Sequence, residues 1–186
     1  MSLDRRRAEG LVLLAAFGAC IPLANWLIGN VGTTCVPNGP CLVPVGFGLM
    51  APSGVAMIGL ALVLRDLVQR RLGLGWTLAA IAGGTLLSAF LAPPALVVAS
   101  ATAFLLSELA DLAVYTPLQR RRLVLAVFAS SIVGLVIDSV VFLLLAFGSL
   151  AYLPGQVVGK AWMVLAALPV IALLKRRDAR LGLAAA

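Results

Sequence analysis

Six long apolar segments dominate the sequence and constrain its fold more than any other feature. A helix that crosses the hydrocarbon core of a bilayer needs about 20 such residues. The segments run over Leu11–Ile28, Val45–Leu64, Trp76–Ala92, Ala95–Pro117, Leu123–Phe147 and Gln156–Leu174. Their apolar runs are continuous rather than alternating, which is typical of helices and not of a transmembrane β-barrel. The sequence therefore predicts an all-α integral membrane protein, a bundle of six transmembrane helices in a single domain over residues 1–186.

Composition supports this prediction and excludes several classes of protein. Hydrophobic residues make up 62% of the chain and charged residues 11%, with a mean hydropathy of +1.12. Soluble domains carry about 25% charged residues, so this chain could not cover a core with polar surface. The chain has no histidine and no Cys-x-x-Cys pair, and it lacks a Gly-x-Ser-x-Gly or Walker motif. We therefore expect neither an enzyme nor a metal or other cofactor.

The second segment is the least regular of the six. The stretch Val43–Gly48 is rich in glycine and proline, which interrupt helices. Two predictions stay open at this point. Either the helix begins at Val45, or an irregular stretch dips into the membrane and the helix restarts at Ala51-Pro52, with Pro52 in its first turn.

The positions of the basic residues predict an orientation. Thirteen of the 14 lysines and arginines flank the same side of a six-span bundle. They are Arg5–Arg7, Arg65, Arg70, Arg71, Arg120–Arg122, Lys175–Arg177 and Arg180. Because basic loops stay in the cytoplasm, both termini are predicted there, as tails over 1–10 and 175–186, in the cell inner membrane. These clusters are expected to anchor at anionic lipid rather than to bind nucleic acid.

The cysteines leave two alternatives open. Gly18-Ala19-Cys20, after three arginines and an apolar run, resembles a lipoprotein signal that ends at Cys20. The apolar run continues to Ile28, which favours an uncleaved first span. Cys35 and Cys41 lie in one predicted outer loop, where they form either a disulfide or two free thiols.

Span four carries acidic residues that are costly inside a membrane. A charge near the bilayer centre costs at least ~2.5–3.5 kcal/mol, so it usually faces the bundle interior and has a partner. Glu108 and Asp111 are three residues apart and therefore share a helix face. The same stripe includes Ser100, Phe104 and Tyr115. This pattern indicates the wall of a ligand site. For Asp111 the alternative is a carboxylate near the helix end that neutralises part of the charge of Arg120–Arg122.

A second polar group is predicted nearer the outer face. Asp138 in span five shares a face with Ser131, and Lys160 in span six lies at the same depth. The two form either a structural ion pair or part of a site, unless Lys160 snorkels outward. Asn25 in span one lies at that depth as well. Asp66 has Arg70 four residues later, which favours an exposed helix pair; alternatively, it closes a cavity together with Arg65.

Several stretches in this order resemble the queuosine precursor transporters, also called the vitamin uptake transporter family. They are Leu62–Val68 with Gly73, Ser100–Phe104 continuing to Glu108–Asp111, Ser130–Gly134 continuing to Asp138-Ser139, Lys160 and Asn25. The resemblance implies a six-helix bundle similar to the substrate-binding subunits of energy-coupling-factor transporters. It also implies uptake of 7-deazaguanines such as preQ0 and preQ1 without a dedicated ATPase.

The resemblance and the buried charges together give the candidate substrate-binding residues, which are Asn25, Asp66, Phe104, Glu108, Asp111, Ser131, Asp138 and Lys160. Glu108 is the first choice as acceptor for the donor edge of a guanine, and Asp138 is the second. Phe104, Phe47 or Trp162 would stack on the ring. Two other functions stay open: a substrate-capture subunit that needs a partner ATPase complex, and a membrane assembly protein without a ligand. The expected partners are a small solute and the lipid bilayer, and a homo-oligomer stays open.

Overall fold

The computed structural model describes residues 2–36 and 39–181, which form six α-helices and a small sheet. The elements are α1 (Ser2–Asn30), β1 (Thr34–Cys35), β2 (Cys41–Gly46), β3 (Leu49–Pro52), α2 (Val55–Leu72), α3 (Leu74–Leu91), α4 (Val97–Leu118), α5 (Leu123–Phe147) and α6 (Leu153–Arg180). A 3₁₀ turn over Pro94–Leu96 joins α3 to α4. The connections between helices α2 to α6 are short, so consecutive helices run in opposite directions.

Five of the helices are long and apolar enough to cross a membrane. They cover Asp4–Asn30, Leu74–Leu91, Pro94–Leu118, Leu123–Phe147 and Leu153–Arg180. Helix α2 differs because its 18 residues include four charged ones, Arg65, Asp66, Arg70 and Arg71, all of which are buried. The chain is therefore a multi-pass membrane protein in which the most polar helix is surrounded by the others.

Polar and apolar side chains are distributed as lipid requires. Phe90 and Val98 are 83% and 72% exposed, while Arg65 and Lys160 are among the most deeply buried side chains. In a bilayer an exposed apolar side chain costs nothing, whereas a charge must find its partners inside the bundle.

The sheet corrects the predicted second span. Residues 45–54 are not helical: β2 and β3 form an antiparallel hairpin, and α2 begins at Val55. The loop of the hairpin needs left-handed backbone, with φ of 100° at Gly46, 56° at Phe47 and 71° at Gly48. Glycine supplies that conformation at little cost, and Pro44 cannot continue a helix. The helix therefore starts after this stretch, as the second alternative held, but the stretch is a β-hairpin instead of an irregular segment and Pro52 lies in β3 instead of the first helical turn.

Several contacts fix the hairpin to the helices. Cys35 and Cys41 form a disulfide that joins β1 to β2. Trp162 of α6 donates a hydrogen bond from Nε1 to the Val45 carbonyl at 2.9 Å, and Ser53 donates from Oγ to the Leu27 carbonyl at 2.7 Å. The hairpin is thus held against α1 and α6, and we call this end of the bundle the hairpin end.

The opposite end, the basic end, carries the N-terminus of α1, the C-termini of α2, α4 and α6, and the arginine clusters of the sequence. The predicted tails are not separate from the helices: α1 begins at Ser2, and α6 continues to Arg180. Residues 182–186 of the predicted C-terminal tail lie outside the described residues.

Ion pairs tie three helices together at the basic end, and we call them the basic-end network. Arg70 and Arg71 of α2 donate hydrogen bonds to Asp178 of α6 at 2.9–3.2 Å. Glu9 of α1 lies 3.2 Å from Arg71 and 2.6 Å from Arg177. The prediction that Arg70 and Arg71 anchor at lipid is therefore wrong, because both side chains are buried and bind carboxylates.

Candidate functional site

A pocket of about 570 Å³, including its open mouth, lies toward the hairpin end. Its wall comes from every helix of the bundle. The lining residues are Ile21, Ala24, Asn25 and Ile28 of α1, Pro52, Gly54, Val55 and Ile58 around the start of α2, Ser88 of α3, Ser100 and Phe104 of α4, Asp138 and Phe142 of α5, and Gln156 and Lys160 of α6. Its apolar wall with a few polar groups is typical of small-molecule sites.

Lys160 occupies one side of this pocket with all three ammonium hydrogens engaged. Its Nζ donates to Asp138 Oδ2 at 2.5 Å, Ser139 Oγ at 2.7 Å and Gln156 Oε1 at 2.6 Å. An ammonium group has three donors and no acceptor, so this set satisfies it. The predicted Asp138–Lys160 ion pair is therefore present, and Lys160 does not snorkel outward.

Glycine at position 59 brings α2 and α6 together beside this pair. A Cβ atom at Gly59 would lie only 2.6 Å from the Lys160 carbonyl oxygen, closer than real contacts allow. Small residues let membrane helices approach in this way. The backbone at Lys160 is thus held directly against α2, which fixes where its side chain begins.

Three polar side chains keep unused hydrogen-bonding capacity in the pocket. Among the described residues, no donor reaches Asp138 Oδ1, although Asp138 is only 7% exposed. Gln156 uses its Oε1 for Lys160, which leaves its amide nitrogen free to donate. Asn25 donates from Nδ2 to the Ile21 carbonyl at 2.9 Å, so its Oδ1 is free to accept. The pocket therefore offers a carboxylate oxygen, an amide donor and an amide acceptor.

Aromatic side chains form part of the apolar wall, but not all those predicted. Phe104 lines the pocket, and so does Phe142, which sequence reasoning missed. Phe47 and Trp162 stack on each other, 6.4 Å between ring centroids, and are 82% and 49% exposed. These two rings do not line the pocket, because the hairpin loop carries Phe47 onto the outer surface of α6.

A second polar group, the Arg65 cluster, lies between α2, α4 and α5. The Arg65 side chain donates from Nε to Glu108 Oε2 at 3.1 Å, from NH1 to Gln69 at 3.2 Å and from NH2 to Asp111. Its NH2 also lies 3.0 Å from Asp66 Oδ1. Arg65 and the three acids are all buried.

The remaining contacts of the cluster come from Tyr115 and from α5. The Arg65 guanidinium lies 5.7 Å from the centre of the Tyr115 ring, a cation–π contact. Ser130 of α5 donates to Asp66 Oδ2 at 2.8 Å. Gly134 of α5 packs against Asp111, where an added Cβ atom would lie 3.1 Å from Oδ2. Gly134 therefore makes room for the Asp111 side chain, and α5 closes the cluster.

This arrangement corrects two predicted pairs. Asp66 does not pair with Arg70, because Asp66 points toward Arg65 and Ser130 while Arg70 binds Asp178. Asp111 does not neutralise Arg120–Arg122, because it binds Arg65 inside the bundle. Asp111 is neutralised from the neighbouring helix α2 instead of by the exposed arginines that follow α4. Asp66 is neutralised by the adjacent Arg65, with which the sequence also grouped it, and accepts from Ser130 of α5.

The structure divides the predicted site residues into two groups. Asn25, Phe104, Asp138 and Lys160 line the pocket. Asp66, Glu108 and Asp111 belong to the Arg65 cluster and do not line it, so the expectation that Glu108 faces a cavity is not met there. Ser131 is buried, lines no part of the pocket, and its Oγ has no hydrogen-bond partner among the described residues.

Arg65 is the main functional candidate that sequence reasoning placed wrongly, as a boundary residue of span two. A signal for it was present in the charges. Lys160 can neutralise one intramembrane acid, which leaves Asp66, Glu108 and Asp111 without a base inside the spans. Because buried charges are normally paired, that deficit indicates that an arginine is drawn into the bundle.

Comparison with known proteins identifies the family. A family model described as "Putative vitamin uptake transporter" matches residues 42–174, a range that includes the Arg65 cluster and every pocket residue outside α1. No curated protein matches the chain, and no solved structure matches it. The matched range covers well over half of the chain, including α2 to α5 and most of α6. Taken with its apolar helices and internal polar pocket, the chain belongs to the vitamin uptake transporter family.

Proposed function

We propose that this protein imports a small flat heterocycle, a 7-deazaguanine such as preQ0 or preQ1, through the pocket at the hairpin end. The observation that carries the proposal is a buried carboxylate with one oxygen free, set in an apolar pocket beside an amide donor. We further propose that all six helices span the membrane as one domain, similar to the substrate-binding subunits of energy-coupling-factor transporters.

The hydrogen-bonding groups of the pocket suit a guanine-like edge. Such an edge presents adjacent N–H donors beside a carbonyl acceptor. Asp138 Oδ1 would accept from the donors, and the Gln156 amide would donate to the carbonyl. Phe104 and Phe142 supply aromatic surface for the ring. In this proposal Asp138 takes the role that the sequence gave first to Glu108, because Asp138 lines the pocket and Glu108 does not.

We propose that the basic end faces the cytoplasm and the hairpin end faces outward in the inner membrane. The basic residues of the exposed connections support this, because arginine-rich loops are retained in the cytoplasm. The disulfide supports it independently. Disulfides form and persist outside the reducing cytoplasm, and this one belongs to the hairpin end.

Thiol labelling tests the orientation. In reduced, sealed cells, Cys35 is expected to react with an impermeant thiol reagent because it is exposed once the disulfide is opened. A cysteine introduced by Arg121→Cys, in the exposed connection between α4 and α5, should be protected. Cys20 is buried and serves as an internal unreactive control. Labelling of the position-121 cysteine with protection of Cys35 would reverse the orientation.

A thermal-shift screen with purines, 7-deazapurines and vitamins tests the substrate. A ligand at a hundredfold excess over its Kd stabilises the folded state by about 2.7 kcal/mol, which is measurable as a higher melting temperature. A 7-deazaguanine is expected to give the largest shift. A larger shift with a vitamin that lacks the guanine edge would contradict the proposed substrate, while the pocket would remain the candidate binding site.

Removing the free carboxylate oxygen should weaken binding. Asp138→Asn replaces an acceptor with an amide, which opposes a ligand donor at a cost of roughly 1–3 kcal/mol. Affinity for a 7-deazaguanine, measured by calorimetry, should therefore fall about ten- to a hundredfold. Because this change also strips Lys160 of its charge partner, the paired variant Asp138→Asn with Lys160→Gln is measured beside it and should lose affinity to a similar extent.

Glu108→Gln is the comparison variant, since it makes the corresponding acid-to-amide change one turn of α4 beyond Phe104, outside the pocket lining. Its affinity should remain within about threefold of the wild-type value. A loss of affinity confined to Glu108→Gln, with Asp138→Asn unchanged, would return the acceptor role to Glu108.

Reconstitution of the purified chain in liposomes separates uptake from substrate capture. Uptake by the chain alone is expected. Binding without uptake would favour a capture subunit that needs a partner ATPase complex. The polar pocket already counts against an assembly protein without a ligand, since such a protein has no need of a free buried carboxylate oxygen.

A further inference from the structure

The Arg65 cluster holds more negative than positive charge. Three buried carboxyl groups, those of Asp66, Glu108 and Asp111, surround one guanidinium. With every group ionised the cluster would carry two net negative charges inside the membrane. Since buried charges persist only when they are compensated, something besides Arg65 has to balance the acids.

No further cation among the described residues is available to do so. Lys160 of α6 is used by Asp138 of α5. On the other side of the cluster, the cations already have partners in the basic-end network. Arg70 and Arg71 of α2 bind Asp178 of α6, and Arg177 of α6 binds Glu9 of α1. Helix α3 has no charged residue. The groups that face the acids from α4 and α5 are the Tyr115 ring and the Ser130 hydroxyl, which are neutral.

Two buried carboxylate oxygens in the cluster accept no hydrogen bond among the described residues. They are Asp111 Oδ2 and Asp66 Oδ1, the second of which lies 3.0 Å from Arg65 NH2 without the alignment of a hydrogen bond. Both side chains contact the same Arg65 nitrogen, NH2, through one oxygen each, and the Ser130 hydroxyl donates to Asp66 Oδ2. Two carboxylates this close repel, whereas one proton between them turns the repulsion into a hydrogen bond.

We propose that Asp66 and Asp111 share one exchangeable proton and that this proton is the coupling ion for uptake. The second half of the proposal rests on the proposed transport function but not on the identity of the solute. A metal ion suits the cluster less well, because the guanidinium occupies its centre and the described residues contain no His, Cys, Asp and Glu group arranged to hold one.

The position of the cluster connects it to the pocket. Phe104 lines the pocket, and Glu108 follows it by one turn on α4. Arg65 on α2 contacts both Glu108 and Asp111 on α4. A movement of α4 against α2 when the pocket fills or empties would therefore change which carboxylate Arg65 neutralises. Loss of the Arg65 contact favours the proton at Asp111, and its return favours release.

Infrared spectroscopy of the purified protein at pH 7 tests the proton itself. A protonated carboxyl group gives a C=O stretching band that an ionised one lacks, and the band shifts in D₂O when the proton exchanges. The wild type should show such a band, and Asp66→Asn and Asp111→Asn should each lose it. Both variants are expected to fold, because the new amide can donate to the remaining carboxylate.

Asp178→Asn is the matched control, because Asp178 is a buried acid that accepts from two arginines and is therefore ionised. It should keep the band. Absence of the band from the wild type, or its persistence in both the Asp66 and Asp111 variants, would overturn the shared proton. Persistence there with loss in Glu108→Gln would move the proton to Glu108 and equally overturn the assignment.

Proteoliposomes loaded by an imposed pH gradient test the coupling, with a 7-deazaguanine as the probe. Wild-type protein should accumulate the probe when the outside is acidic. Asp111→Asn should exchange probe across the membrane but lose at least tenfold of the gradient-driven accumulation. Uptake that ignores the gradient would overturn the coupling. An absence of all uptake, with the infrared band intact, would contradict the proposed function and the coupling while the proton site remained.

Discussion

Replacing Arg65 with methionine is expected to lower the free energy of unfolding in detergent by about 3–5 kcal/mol, or to prevent folding altogether. Methionine keeps the length of the side chain but removes the only cation that contacts Asp66, Glu108 and Asp111 among the described residues. The three acids would then have to bind protons or face one another in a medium without water. Titration with a denaturing detergent, followed by circular dichroism, measures the loss.

Arg121→Met is the matched control, because Arg121 is exposed in the connection between α4 and α5. Its effect should stay within about 0.5 kcal/mol. Adding Glu108→Gln and Asp111→Asn to Arg65→Met should recover most of the stability, because the charges that Arg65 neutralised are then gone. Equal effects of Arg65→Met and Arg121→Met would show that the cluster does not depend on its arginine.

The second large effect is expected at the Asp138–Lys160 pair. Lys160→Ala should cost on the order of 3–5 kcal/mol, because it leaves the Asp138 carboxylate buried without its cation. Lys160→Ala with Asp138→Ala should cost less than Lys160→Ala alone, since no uncompensated charge remains. The two single variants and the double variant form a cycle whose coupling energy measures the pair directly.

Lys175→Ala controls for the loss of a lysine from α6, because Lys175 is exposed on the same helix. It should change stability little. Additive effects of Lys160→Ala and Asp138→Ala would contradict the pair, even though their atoms lie 2.5 Å apart.

The helices were predictable because lipid imposes a length and a composition on any segment that crosses it. Span five was predicted over Leu123–Phe147, the range that α5 occupies. The start of α2 was less predictable. Apolar runs begin at both Val45 and Val55. The first run is not helical because its residues pair as the strands β2 and β3. Apolar periodicity alone cannot distinguish such a strand from a short buried helix.

In the candidate site, the depth of a side chain in the bundle was predictable from the sequence, but the direction in which it points was not. Counting residues along a helix gives the depth of a side chain, which was enough to bring Asp138 and Lys160 together. It does not give the rotation of one helix against another. The partner of Asp111 depends on that rotation, so the sequence offered Arg120–Arg122 where the structure provides Arg65 of α2. For Asp66 the sequence offered both Arg70 and Arg65, and the structure pairs it with Arg65. Helix packing selects among partners that the sequence leaves equivalent.

The basic-end network should make the barrier to solute release differ from the barrier to solute entry. The pocket lies toward the hairpin end. At the basic end, α1, α2 and α6 are held together by ion pairs among Glu9, Arg70, Arg71, Arg177 and Asp178. With the proposed orientation, a solute in the pocket would leave toward the cytoplasm only after these contacts part and each charge is rehydrated. The kinetic barrier of turnover should therefore lie on the release side. Salt weakens the partly exposed pair of Glu9 and Arg177 more than the buried pairs of Asp178. With the proposed orientation, raising the ionic strength on the cytoplasmic side should therefore speed import more than raising it outside.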